Sequence, residues 1–151
     1  MNQEPATVLG FDFGKKRIGI AVGQTLTASA RPLATVRVHN DVPDWDAIGR
    51  LVQSWRPAQL IVGLPTQLDD SEHPLAAEVR RFVDALRQRY ALPVHLVDER
   101  LSSHEAAQIA TAAGIHTAPH SQSAKETLDR IAAQVILDTW FSEHAHNRRP
   151  A

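Results

Sequence analysis

Apolar and polar positions alternate through the first 40 residues and then change period. In Thr7–Phe13, Leu9, Phe11 and Phe13 fall on one side of an extended chain and Val8, Gly10 and Asp12 on the other, which predicts a strand. Gly14-Lys15-Lys16 marks a turn, and Arg17–Val22 alternates again with Ile18, Ile20 and Val22 together. Leu33–His39 reads as a third strand after Pro32. Such short connections make the three strands antiparallel neighbours.

Beyond these strands the spacing becomes helical. Trp45, Ile48, Val52 and Trp55 form one stripe, which must stop near Pro57. Gln59–Leu64 is a short apolar strand. Leu75, Val79, Phe82, Val83, Leu86 and Tyr90 give a second helical stripe closed by Pro93, and Val94–Asp98 a fifth strand. Ser102-Ser103-His104-Glu105 is a capping-box start for a helix ending at Gly114. Ser123-Ala124-Lys125-Glu126 starts another, running to about Phe141, and His144–Ala151 reads as a frayed tail. The order predicts an α/β fold with a five-stranded mixed sheet: three antiparallel strands, then parallel β-α units, with helices on both faces. Right-handed crossovers put the first, fourth and fifth strands side by side and parallel.

Composition narrows the function classes. The 151 residues suit one domain, with 43% apolar and 22% charged residues, as in ordinary globular proteins. Sixteen Lys+Arg against seventeen Asp+Glu give a net charge of −1, which excludes a strongly basic coat protein but not a local basic patch. With no cysteine there is no disulfide, thiolate metal site or Cys nucleophile. Met1–Thr7 lacks a basic start leading into an apolar stretch, and no apolar run approaches membrane-spanning length, so a cytoplasmic protein without a membrane partner is expected.

Some acids sit where packing does not explain them. In parallel sheets, ligands bind beyond the carboxyl ends of the strands. Asp12 closes the first strand there, Gly63-Leu64-Pro65-Thr66 follows the fourth, and Asp98-Glu99-Arg100 the fifth. In the last helix, Leu128, Ile131, Ala132, Ala133, Val135, Ile136 and Trp140 cover one arc, while Arg130, Gln134 and Asp138 occupy the other and should face water. Asp129 falls inside the apolar arc, where a carboxylate needs a partner. One structural explanation is an ion pair with Lys125, one turn earlier. The other is convergence with Asp12 and Glu99. Two unit charges about 4 Å apart repel by roughly 4 kcal/mol at an effective dielectric of 20, so such a cluster requires shared protons or a hard cation. Mg²⁺ and Mn²⁺ prefer oxygen ligands, and the cluster then suits metal-assisted hydrolysis of a phosphodiester. Asp98 points to the opposite strand face and is at most a supporting residue.

Four of the seven glycines, Gly10, Gly14, Gly19 and Gly23, crowd into residues 10–23, consistent with tight hairpin geometry or close backbone approach. The segment Gly10-Phe11-Asp12-Phe13-Gly14-Lys15-Lys16-Arg17-Ile18-Gly19-Ile20-Ala21-Val22 resembles the opening motif of the YqgF family. Ile61-Val62-Gly63-Leu64-Pro65, Asp98-Glu99-Arg100-Leu101-Ser102 and the stretch from Lys125 through Asp129 to Ala132-Ala133 resemble its other motifs, in order, over about residues 8–142. The resemblance implies an RNase H-like nuclease domain over residues 1–143. It also implies a Mg²⁺ or Mn²⁺ site at Asp12, Glu99 and Asp129 and a role in maturing the 5′ end of 16S ribosomal RNA. The sequence departs from the family after Gly-Leu-Pro, where Gln67 and Asp69-Asp70 stand in place of Asn and Asp-Gly.

Cations accompany each acid. Lys15 and Arg17 flank Asp12, Arg100 follows Glu99 and Lys125 precedes Asp129; with Thr66 they are the candidate substrate contacts. The expected partner is nucleic acid, pre-rRNA before branched DNA, together with ribosomal particles. A junction-resolving DNA nuclease uses the same site, and a non-catalytic factor in ribosome assembly or transcription is the alternative from another class. Asp12-x-Gly14 also resembles the phosphate loop of two-lobed sugar kinases, but 151 residues supply one lobe. His144-x-His146 reads as a solvated tail, and Trp45 and Trp55 as core anchors.

Overall fold

A computed structural model describes residues 5–65, 74–99 and 122–147. The predicted helix at 102–114 and the loop of Gln67 and Asp69-Asp70 lie outside the described residues. The alternating N-terminal segments form β1 (Thr7–Phe13), β2 (Arg17–Gln24) and β3 (Ser29–His39). A two-residue strand, β4 (Val42–Pro43), follows, then α1 (Trp45–Trp55), β5 (Gln59–Pro65), α2 (Ala76–Tyr90), β6 (Val94–Glu99) and α3 (Gln122–Asn147). The sheet order is β4-β3-β2-β1-β5-β6. β1, β2 and β3 are antiparallel, and β5 and β6 run parallel to β1, as the crossover rule requires.

Six strands stand where five are expected. β4 pairs Val38 with Pro43 and His39 with Val42, a ladder too short to leave an alternation in the sequence. It exists because Asn40 and Asp41 both take left-handed backbone angles, φ 50° and 64°, the geometry of a tight hairpin turn. β3 starts at Ser29, so Pro32 lies within it, opposite Ala21 and next to a register shift at Ile20/Ala21. Its other side is paired only near His39, and a proline without an N–H is tolerated on such an edge.

The helices cover both faces. Asp44 caps α1 by accepting from the Ala47 amide (3.1 Å), and Arg56, left-handed at φ 46°, ends it before Pro57. α2 ends the same way at Ala91, ahead of Pro93. α1 and α2 lie over Leu9, Phe11, Ile18, Ile20, Leu60 and Val62. α3 lies over Val8, Ala21, Ile61 and Val97. It runs past Phe141 to Asn147, and His144 lays its ring over Trp140 (centroids 4.1 Å apart) instead of entering solvent. Among the described residues no helix is long and apolar enough to cross a membrane.

Candidate active site

Glycine lets α3 lie directly on the strands that carry Asp12 and its register partner. Asp12 shares the β1 face of Val8 and Gly10, the face that α3 covers, and is half-buried. Its register partner across β2 is Gly19. A Cβ on Gly19 would overlap the Asp129 carbonyl oxygen, so the α3 backbone lies directly on β2 at this point. Farther along, a Cβ on Gly10 would stand 2.6 Å from Leu137 Cγ, and one on Gly23 2.9 Å from the Phe141 ring. Asp129, Ala133, Leu137 and Phe141 are spaced by four and form one row of the helix. That row rests in a trough of missing side chains, with Asp129 at the end nearest Asp12. The crowded N-terminal glycines therefore seat a helix; only Gly14, packed against the Arg17 carbonyl, serves the hairpin turn.

Asp129 finds its partner across the sheet, not along its own helix. Arg17 Nε donates to Asp129 Oδ2 at 2.6 Å, and the two side chains are 19% and 21% exposed. The Lys125–Asp129 pair, one of the two explanations that the sequence allows, does not form. Lys125 is exposed, whereas Asp129 faces β2, which Arg17 begins. Burial still holds the Asp129 carboxyl above the usual carboxylate range, against the downward pull of the Arg17 hydrogen bond and charge. Nearby Glu126 adds to the rise and Arg130 opposes it.

Arg130 corrects another expectation. Instead of facing water it is half-buried and donates to Thr35 Oγ1 (3.2 Å) and Thr127 Oγ1 (3.2 Å). Thr35 Oγ1 in turn donates to the Glu126 carbonyl (2.9 Å), and Arg37 approaches Glu126 Oε1 at 3.7 Å. These contacts brace the first turns of α3 on β3 and keep Asp129 in place. Helical periodicity misses them because β3 extends far enough to meet the polar side of α3.

Glu99 is the last residue of β6, opposite Pro65 of β5. Strands are about 4.8 Å apart, so the β6 backbone lies roughly 10 Å from that of β1, with β5 between. Gly63 of β5 has the same parity as Ile61 and bears no side chain on the α3 face there. Asp98 is exposed and shares the parity of Leu96, on the α1–α2 side of β6. Among the predicted substrate contacts, Lys15 is exposed and approaches Glu78 at 3.8 Å, and Arg17 is engaged by Asp129. Thr66 and Arg100 lie outside the described residues.

Comparisons with known proteins agree with this architecture. The chain matches the family RuvX, described as Holliday junction resolvase, over residues 6–143. A Legionella pneumophila protein named "Putative pre-16S rRNA nuclease" is 49% identical over 135 residues, covering 89% of this chain and 94% of its own. A Dechloromonas aromatica protein of the same name is 46% identical over 140 residues, 93% of each chain. Among solved structures, T. thermophilus RuvC in complex with a Holliday junction substrate superposes with a TM-score of 0.53 at 18% identity, over 97% of this chain and 99% of that one. At that identity the likeness is one of fold. The protein belongs to the RuvX family, the YqgF family that its four motifs resemble, and has the RNase H-like fold of the resolvases.

Proposed function

We propose that this protein is a divalent-metal-dependent endonuclease that hydrolyses phosphodiesters in maturing the 5′ end of 16S ribosomal RNA, as a single domain over residues 1–143. The observation that carries the reading is Asp129, a carboxylate held in an otherwise apolar helix row, seated beside the register partner of Asp12. Its nearly 50% identical relatives bear the name of pre-16S rRNA nucleases, which supports RNA as the substrate. Nucleic acid is then the partner, on ribosomal precursor particles in the cytoplasm.

The residues present suit Mg²⁺ or Mn²⁺. They offer hard oxygen donors, and Asp129 already draws a cationic group, Arg17, into a setting where burial disfavours its charge. Asp12, Glu99 and Asp129 would hold the ion. When bound, it supplies Lewis-acid stabilisation of charge developing on the phosphate. The protein's own part is to orient the strand and neutralise its phosphates, chiefly through Lys125 and, from outside the described residues, Thr66 and Arg100; Lys15 and Arg17, already answered by Glu78 and Asp129, contribute less.

The test is cleavage of a precursor 16S RNA fragment and of a four-way DNA junction, with EDTA, Mg²⁺ or Mn²⁺. Metal-dependent RNA cleavage is expected, falling at least 100-fold (roughly the loss of one catalytic group) in each of Asp12→Asn, Glu99→Gln and Asp129→Asn. Cleavage of the junction alone would assign the DNA reaction instead. Binding of RNA without cleavage in either metal would make the protein a non-catalytic factor.

A further inference from the structure

The end of the sheet that carries Asp12 has a concavity on its opposite face. A cavity of about 360 Å³ is walled by Phe13, Val38, Trp45 and Phe82, within the range of small-ligand sites, roughly 300–1,000 Å³. Phe13 directly follows Asp12 in β1, so the cavity lies on the far side of the strand that bears the acid. Trp45 is stacked on Phe82 (centroids 5.6 Å) and covered by the Arg89 guanidinium (4.2 Å), which makes it a rigid wall.

Four charged groups line the same space, and they balance. Lys15 leans on Glu78, while Asp41 and Arg81 have no hydrogen bond or ion pair among the described residues. Asp41 sits in the left-handed turn between β3 and β4, which holds its backbone in a short, closed connection. Two positive and two negative groups give no net field to retain a free phosphate. An aliphatic side chain would fill the apolar wall but use neither Asp41 nor Arg81, which stand exposed at its rim. A flat, neutral heterocycle with its own donors and acceptors satisfies both. Guanine presents two adjacent donors, N1–H and the N2 amine, to a carboxylate, and the O6 and N7 acceptors to a guanidinium.

We propose that this cavity receives an unpaired guanine of the substrate strand, Asp41 accepting from N1–H and N2 and Arg81 donating to O6 or N7. The proposal rests on the nuclease reading for the source of the base, and it gives the enzyme a sequence preference read on the opposite face of the sheet from the acids. Bases splayed from single-stranded RNA are read in this way, by apolar walls and edge hydrogen bonds.

Binding of 5′-labelled UUGUU, UUAUU and UUUUU pentaribonucleotides, followed by fluorescence anisotropy in EDTA, tests it without cleavage. UUGUU should bind at least about fivefold tighter than UUUUU, the lower end of what one bidentate base contact provides. Asp41→Asn and Arg81→Ala should each bring that ratio close to one, with UUUUU affinity changed by less than about twofold. Asparagine tolerates the left-handed backbone, so an unchanged melting curve is expected for Asp41→Asn. Equal affinity of the wild type for all three oligomers, or a guanine preference that survives both substitutions, would overturn the proposal. Because no metal is present, loss of cleavage in Asp12→Asn bears on the acid site alone and leaves this result standing.

Discussion

Asp129 is caught between a partner and a penalty. Its ion pair with Arg17 is short, but each side chain keeps only about a fifth of its surface (19% and 21%), and burial outweighs the pair in setting the carboxyl's affinity for its proton. The folded-state pKa therefore lies above the unfolded one. The fold favours the neutral acid, so this contribution to stability is full below the ordinary carboxylate pKa and erodes as pH rises toward the raised value. Asp129→Asn removes the erosion. In EDTA at pH 7 the variant should melt at or above the wild-type temperature, and the difference should shrink as the pH falls toward about 4, near the ordinary Asp value. A loss of about 3–5 kcal/mol, which follows when one member of a fully buried pair is removed, would mean that Arg17 outweighs burial. Adding Mn²⁺ should raise the melting temperature of the wild type and leave that of Asp129→Asn in place.

At the scale of elements, the seat of α3 decides where the acid stands. Gly19→Ala presses a methyl group against a helix carbonyl, which cannot yield without moving α3. Destabilisation at the upper end of overpacking, about 3 kcal/mol or more, is expected from urea unfolding, together with loss of Mn²⁺ binding. Gly10→Ala meets chiefly the end of the Leu137 side chain and should cost less, about 1–2 kcal/mol. Much of this architecture is legible in the chain itself. Alternation marks β1 to β3, the stripe from Trp45 to Trp55 marks α1, and Asp129 stands out because it interrupts an apolar arc. Relations that depend on distant register are not legible. Arg17 and Asp129 are 112 residues apart, and a strand glycine does not reveal whether a hairpin, a ligand or a helix lies against it. β4 is hidden for a simpler reason, since two residues have no period.

For the whole molecule, the net charge of −1 means that attraction for a polyanion must come from one region. Lys15, Lys16 and Arg17 lie at the β1–β2 hairpin end, and Arg37 is the register partner of Arg17. They are not equivalent. Arg17 is neutralised by Asp129 and Lys15 leans on Glu78, whereas Lys16 is exposed and has no ion pair among the described residues. Lys16→Ala should therefore flatten the slope of log K against log salt by about 0.7 for a single-stranded oligonucleotide. In EDTA, Arg17→Ala should change that slope less, because its charge is already answered within the protein. Anisotropy titrations between 50 and 200 mM salt, roughly the range in which phosphate contacts dominate, measure both.

The trough that receives α3 is made early and filled late. β2 ends at Gln24 and α3 begins at Gln122, so on a ribosome adding roughly 5–20 residues per second the glycine-lined face waits on the order of 5–20 seconds for its helix. During that interval the nascent chain holds Asp12 without Asp129. Until α3 follows, the glycine trough has no helix to fill it, and the β1–β2 hairpin stands without the segment that carries Asp129. The order of elements along the chain thus makes the seating of α3 the late step in bringing Asp129 onto β2.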